Sequence, residues 1–177
     1  MIVTLLRHYK VNHKRKKKCT PRGYLIALQE YDDADVVNQD IRLPFDHEQI
    51  ITSMMKRTKQ TFAFLYGERA HEQTDLLNEV PMAPFTEKDK MYSATVFDVM
   101  ARMQWIVNNS RQPETRKMTT ARARKFIETY LYEEKNYLII GHGFFLRTLS
   151  IEMLKYKFKG KAITYLRNGE YQIYKKA

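Results

Sequence analysis

The chain has 177 residues, enough for one domain with a sizeable core, and its 44% hydrophobic and 29% charged residues are ordinary for a soluble globular protein. Its 31 basic and 20 acidic residues give a formal charge of +11, which points to anionic partners, and a single cysteine, Cys19, excludes an internal disulfide and fits a reducing compartment. No apolar run approaches the roughly 20 residues needed to cross a bilayer, and Arg7 interrupts the first run too early for a secretory signal, so a cytoplasmic location without membrane contact is expected.

The first run, Ile2 to Leu6, reads as a buried central strand that ends in Arg7-His8. In an open α/β sheet, ligands sit beyond the carboxyl ends of the strands, which puts this pair where a ligand belongs. Arg7 offers a planar fork for phosphate or carboxylate, and His8 a nucleophile or a proton shuttle; a buried structural pair is the competing reading. The run His13-Lys14-Arg15-Lys16-Lys17-Lys18 begins a few residues further on. It reads as a solvated loop or, beside a site entrance, as a means of concentrating an anionic substrate. No aromatic residue interrupts it, which weighs against a nucleic-acid partner. A Cys-x5-Arg phosphatase loop is ruled out at Cys19, because Leu25 stands where the arginine is required.

Thr20 to Glu30 is expected to form a short helix with Leu25, Leu28 and Ile26 inward, and Asp32 to Asp46 an irregular connection. Gln49 to Ile51 reads as a strand that turns at Thr52-Ser53 into a helix over Met54 to Tyr66. Met55, Phe62 and Leu65 share one face of that helix, Arg57 lies in its first turn, and Gly67 stops it. Thr74 to Leu77 is a short strand candidate with Glu79 just beyond, and Val80 to Phe85 a proline-punctuated loop. Thr86 and Asp89 have capping-box spacing before a helix whose inner stripe is Tyr92, Val96, Val99, Met103 and Ile106. A second long helix from about Pro113 buries Ala123, Ile127, Tyr130 and Leu131.

Tyr137 to Ile140 is another apolar strand, followed by Gly141-His142-Gly143 and a helix carrying Leu146, Leu149, Met153 and Tyr156. Glycines there let the backbone approach an anion, and the helix N-terminus presents free N–H groups. Ala162 to Leu166 and Tyr171 to Tyr174 flank Asn168-Gly169, a hairpin signal. The alternation predicts an α/β three-layer sandwich: a mostly parallel central sheet, helices on both faces and an antiparallel C-terminal hairpin at the edge. With no repeat or linker, residues 1–177 read as a single domain.

Four segments, taken in order, resemble the motifs of the histidine phosphatase superfamily, also called phosphoglycerate mutase-like. Arg7-His8-Tyr9 matches RHG, Ser53 to Thr61 matches S-x-x-x-R-x-x-Q-T, Leu77-Asn78-Glu79 matches L-x-E, and Gly141-His142-Gly143 matches GHG. Thr20, Gly23 and Ala27 add a weaker match to T-x-x-G-x-x-x-A. The resemblance implies a phosphatase of the small, uninserted branch that works through a phosphohistidine on His8, with no metal and no cofactor. Arg7 and Arg57 would neutralise phosphoryl oxygens, His142 would donate a further bond beside Gly143 at the helix start, and Glu79 would protonate the leaving alkoxide and then activate water. His13, His47 and His71 lack ligand-like spacing and read as surface residues.

The chain departs from the family pattern at three places. Tyr9 replaces the RHG glycine and either turns away from the crevice or narrows it, Val11 removes a hydroxyl, and Val80 to Phe85 replaces a glycine-rich stretch. The expected partner is a small phosphorylated substrate or a phosphohistidine-bearing protein, with oligomeric state left open. Mutase-type phosphoryl transfer is an alternative that the compact chain disfavours. A catalytically weak phosphate- or nucleic-acid-binding protein, with Tyr9 blocking attack, is the other.

Overall fold

The structure, a computed structural model, describes residues 1–176. In chain order it runs β1 (Ile2–Arg7), β2 (Lys18–Cys19), α1 (Pro21–Asp33), β3 (Gln49–Ser53), α2 (Lys56–Tyr66), β4 (Glu72–Thr74), a 3₁₀ turn (Asp75–Leu77), β5 (Tyr92–Ser93), α3 (Ala94–Ile106), α4 (Arg116–Tyr130), β6 (Asn136–Gly141), α5 (Gly143–Lys155) and β7 (Tyr171–Lys175). Five strands form the central sheet in the order β4-β3-β6-β1-β7, and β2 pairs with β5 in a separate ribbon.

The two all-apolar runs, β1 and β6, lie side by side in parallel register, Leu5 opposite Ile139 and Arg7 opposite Gly141. Because side chains alternate across a strand, each run feeds two cores. Val3, Leu5, Ile51, Tyr137 and Ile139 pack under α4 and α5 with Phe126, Phe145 and Leu149. Leu6, Ile50, Leu138 and Ile140 pack on the other face against Phe62 of α2. Leu138, Ile139 and Ile140 are fully buried, each contributing about 1.5–3 kcal/mol of burial. Since β1, β3 and β6 are parallel neighbours, their carboxyl ends open at one edge of the sheet, which gathers Arg7-His8, the Ser53 turn and Gly141-His142.

The α/β architecture and the antiparallel edge are as expected, but the edge is not a hairpin. β7 pairs antiparallel with β1 along Ile2 to Leu6, while Ala162 to Leu166 forms no strand. The Asn168-Gly169 turn instead hooks onto the end of β1: the Gly169 N–H donates to the Arg7 carbonyl and the Arg7 N–H to the Glu170 carbonyl, at 3.1 and 3.0 Å. Gly169 meets this turn with φ of +78°, a conformation that glycine adopts without strain.

Two helix faces differ from expectation. In α1, Tyr24 and Ala27 are buried while Leu25 and Ile26 are 50% and 47% exposed. In α3 the buried row is Ala94, Phe97, Ala101 and Trp105, and the expected stripe Val96, Val99, Met103 and Ile106 faces outward. α3 carries two apolar rows, and the aromatic one wins: Phe97 stacks on Tyr24 with centroids 4.6 Å apart, and the Trp105 Nε1–H donates to Thr119 Oγ1 at 2.8 Å.

Several boundaries also move. The cap of α3 is Ser93, not Thr86, and α4 begins after Thr115, not at Pro113, each hydroxyl accepting a helix N–H. Glu72–Thr74 is the strand before Glu79, and Asp75 to Leu77 is a 3₁₀ turn. α2 begins at Lys56, with Met55 as its cap and Met54 52% exposed. His47 is buried, bonded through Nε2 to Thr4 Oγ1 at 3.0 Å, and so is not a surface residue. Cys19 is buried among Tyr24 and Phe97.

Candidate active site

The strand ends enclose a cavity of about 470 Å³ whose walls include Arg7, His8, Arg57 and Glu79. A larger open groove of about 810 Å³ runs past Arg22, Pro84, Glu87 and Arg111 and contains no motif residue. The chemistry therefore belongs to the smaller cavity.

His8 leaves β1 directly into this space and is buried. Its Nδ1 lies 2.7 Å from the Tyr9 carbonyl, which can only accept, so Nδ1 carries the proton and Nε2 keeps its lone pair. Burial and then the Arg57 charge hold its pKa down at about 3, with the Tyr9 carbonyl opposing and Arg7 adding to the depression. At neutral pH the ring is thus an uncharged imidazole with a free nucleophilic nitrogen. The Asn168 amide donates to the His8 carbonyl at 2.9 Å and steadies the strand end.

Arg7 donates through Nη1 to the Leu166 carbonyl at 2.7 Å, and its buried Nε has no partner in the protein. An unmatched buried donor on a cation is costly, and here it marks a place for an anionic oxygen. A Cβ on Gly143 would stand 3.0 Å from Arg7 Nε, so the bare glycine seats the guanidinium.

Arg57, at the second position of α2, donates through Nε to His142 Nδ1 at 3.0 Å and through Nη1 to Asp32 at 2.6 Å, which leaves Nη2 for a ligand. Because a guanidinium only donates, His142 Nδ1 is the acceptor and its Nε2–H donates to Ser53 Oγ at 2.7 Å. His142 is neutral as well; burial, then Arg57, His8 and Arg7, holds its pKa well below the usual histidine value. Both of its ring nitrogens are therefore engaged, and a direct bond from His142 to phosphate requires one of them to be exchanged.

Glu79 does not pair with either arginine. Oε1 accepts from the Val80 and Phe145 N–H groups at 2.9 and 3.0 Å, and Oε2 from the Phe144 N–H at 3.2 Å. The carboxylate thus caps the N-terminus of α5 from the cavity wall, where the helix favours negative charge. Tyr9, the departure from the motif, turns away: it is 1% exposed in a cluster with Val11 and Val36, and its N–H donates to Thr61 Oγ1 at 2.9 Å. The crevice is not narrowed by its ring.

The sequence reading did not single out Asp32, Arg15 or Arg102, which also line the cavity. Asp32, in the stretch expected to be an irregular connection, lies in the last turn of α1 beside Arg57. Arg15 lay inside the basic run and is tied by two bonds, 2.5 and 2.7 Å, to Asp98 of α3. Arg102 had one visible signal, a lone charge in the apolar row Met100-Ala101-Arg102-Met103. Among the described residues no group of three or more His, Cys, Asp or Glu is arranged to hold a metal ion, and no helix is long and apolar enough to cross a membrane.

The depressed histidines, His8 and His142 in the site and buried His47 outside it, make stability depend on pH with a definite sign. Below the ordinary value of 6.5 the unfolded chain binds protons that folded His8 refuses until about pH 3. Their stabilising contribution is complete above about pH 6.5 and is lost as the pH falls toward 3. The thermal midpoint should drop between pH 7 and 4.5, and His8→Gln should make that drop shallower. An equal pH slope in wild type and variant would contradict the depressed value.

Residues 3–175 match a family model described as the histidine phosphatase superfamily (branch 1). No curated protein matches the sequence. Among solved structures, an open reading frame product of Mycobacterium tuberculosis is similar with a TM-score of 0.58 and 19% identity, covering 97% of this chain and 89% of that one. A mycobacterial glucosyl-3-phosphoglycerate phosphatase is similar at 0.58 and 15%, covering 97% and 88%. A phosphoserine phosphatase from Entamoeba histolytica reaches 0.54 and 14%, covering 97% and 89%.

Proposed function

Since the chain belongs to the histidine phosphatase superfamily, we propose that it hydrolyses a phosphomonoester through a covalent phosphohistidine on His8. The observation that carries this reading is the His8 tautomer: Nδ1 is tied to the Tyr9 carbonyl, so an uncharged ring offers Nε2 beside Arg7 and Arg57.

In the first step the Nε2 lone pair attacks phosphorus as the ester P–O bond breaks. The Arg7 and Arg57 guanidiniums hold the equatorial oxygens, where charge is spread in the transition state. Glu79 serves as the general acid that passes a proton to the departing alkoxide. In the second step Glu79 takes a proton from water, the water oxygen attacks phosphorus, the N–P bond breaks and His8 is regenerated with inorganic phosphate. His142 acts by holding Arg57 through Nδ1 while Ser53 holds its other nitrogen. No step requires a metal or cofactor.

A small phosphorylated molecule is favoured over a phosphoprotein because His8 is 2% exposed, and the similar phosphatases are named for phosphoserine and glucosyl-3-phosphoglycerate. A non-catalytic binding protein is disfavoured because the Tyr9 ring, the one obvious block to attack, packs away from the cavity.

Phosphate release from an aryl phosphate tests the reading; no release from any aryl or alkyl ester would leave only binding. The basic loop gives the same assay a second readout, since Lys14, Lys16, Lys17 and Lys18 are exposed and Arg15 reaches the cavity wall. If the loop steers substrate, replacing the four lysines by glutamine should lower kcat/KM at low salt and flatten its salt dependence. An unchanged salt profile would make the run a plain solvated loop.

A further inference from the structure

The outward row of α3, Val96, Val99, Met103 and Ile106, is left between 42% and 54% exposed. Its 3-4-3 spacing sets the four side chains in one line along about 15 Å of helix. Every exposed position of α3 is uncharged; its two charged residues, Asp98 and Arg102, are half-buried and engaged by Arg15 and by the Val80 carbonyl. In a chain that is 29% charged, such a helix face stands apart. Contiguous apolar surface of this kind marks a contact with a protein or a membrane. The patch continues past the helix through Val107, 71% exposed, and Met118, 53% exposed, which is brought near because the Lys117 N–H donates to Asn108 Oδ1 at 2.8 Å.

Charge says what covers it. At the start of α3 the Ala94 N–H donates to the Lys17 carbonyl at 3.0 Å and Lys18 pairs with Ser93, so exposed Lys16, Lys17 and Lys18 stand beside the first turn of the row. At the other end Arg116 and Lys117 are exposed. The acids close by are taken up, Asp98 by Arg15 and Glu87 by Arg111, or sit between cations, as Asp89 does between Lys88 and Lys90. We propose that this face docks on an anionic phospholipid surface, with the apolar row entering the interface and the lysines meeting the headgroups. A second copy fits poorly: with cations at both ends of the row, either orientation of two facing helices sets like charges together. A seam of three turns also falls short of the roughly 800 Å² per partner that a stable interface buries. A folded partner would anchor in a pocket, but the row is a ridge and lines neither the strand-end cavity nor the larger groove. A fluid surface needs no pocket. Docking of this kind requires no spanning segment, and it departs from the expectation, drawn from the lack of a span-length run, of no membrane contact. It does not depend on the reaction at His8.

Sedimentation with vesicles tests it. The protein should partition at least about tenfold more strongly onto phosphatidylcholine vesicles that contain phosphatidylserine than onto phosphatidylcholine alone, and the preference should shrink as salt rises. Val99→Gln combined with Met103→Gln should lower partitioning at least about tenfold at every salt concentration, because the apolar contribution is lost. Both positions are exposed, so the thermal midpoint should stay at the wild-type value. Val99→Leu combined with Met103→Leu, which keeps the row apolar, should bind like wild type. Replacing Lys16, Lys17 and Lys18 by glutamine should remove the preference for phosphatidylserine. Failure of wild type to sediment with either vesicle would overturn the proposal. So would undiminished binding by the Val99→Gln, Met103→Gln protein, which would reduce the contact to charge alone. A concentration-dependent dimer without lipid, dissolved by the same two substitutions, would overturn it as well and give the row to a second copy.

Discussion

Replacing His8 by alanine should lower kcat/KM for every phosphomonoester by at least about ten-thousandfold, roughly 5.4 kcal/mol of barrier. The size follows from the absence of a substitute nucleophile at that point. The other imidazole, His142, has both nitrogens engaged by Arg57 and Ser53, and the Glu79 carboxylate, which accepts three backbone N–H groups, keeps one open lone pair on Oε2 for proton transfer. Phosphate binding should survive, since Arg7 and Arg57 stay in place, and it doubles as a check that the variant is folded. His8→Gln, which fills more of the vacated volume, covers the case in which alanine leaves a damaging cavity. A loss of only about tenfold, roughly 1.4 kcal/mol, would be too small for the group that bonds to phosphorus.

Glu79→Gln should cost an alkyl phosphate roughly 100-fold to 10,000-fold, the usual worth of general acid catalysis, and cost an aryl phosphate much less. An alkoxide is strongly basic and needs a proton in the transition state, whereas a nitrophenolate leaves unaided. The comparison belongs in the burst phase, because the same residue activates water in the second step. The competing role is structural: Glu79 caps α5, and the glutamine amide would turn a donor toward N–H groups that need an acceptor. A disturbed α5 start shifts Gly143 and with it Arg7, which would weaken phosphate binding and slow both esters alike. Equal losses with weakened phosphate affinity would move Glu79 out of the proton path. The next acid to test would then be Asp32, which lines the cavity, while Asp75, the nearer acid in sequence, is exposed and lines none of it.

The strand ends were legible because they are local features. An apolar run stopped by Arg7-His8 or by Gly141-His142-Gly143 needs no distant partner to be read, and their convergence follows from parallel pairing. Helix faces were less legible. α3 is apolar on two rows, and only the position of Tyr24 and Thr119 on neighbouring helices decides that Phe97 and Trp105 go inward. The Asn168-Gly169 turn was recognised, but its partner was not. The local signal for a tight turn is the same whether it joins two strands or hooks Arg7 and His8 from a loop.

Asp32, Arg15 and Arg102 were missed for a related reason. They reach the cavity from the end of α1, a basic loop and the middle of α3, and no spacing connects them. The consequence for Tyr9 was also beyond reach. Whether its ring blocks the crevice depends on Val11 and Val36 closing a pocket on the far side.

The phosphorylated intermediate tests the central claim most directly. Wild-type protein mixed with a labelled aryl phosphate and quenched in denaturing base should carry label through an acid-labile bond. Peptide mapping should place it on His8 at Nε2, because Nδ1 is occupied by its proton and the Tyr9 carbonyl. Label on His8 Nδ1, on another residue or through an acid-stable bond, or turnover without any trapped label, would contradict the account.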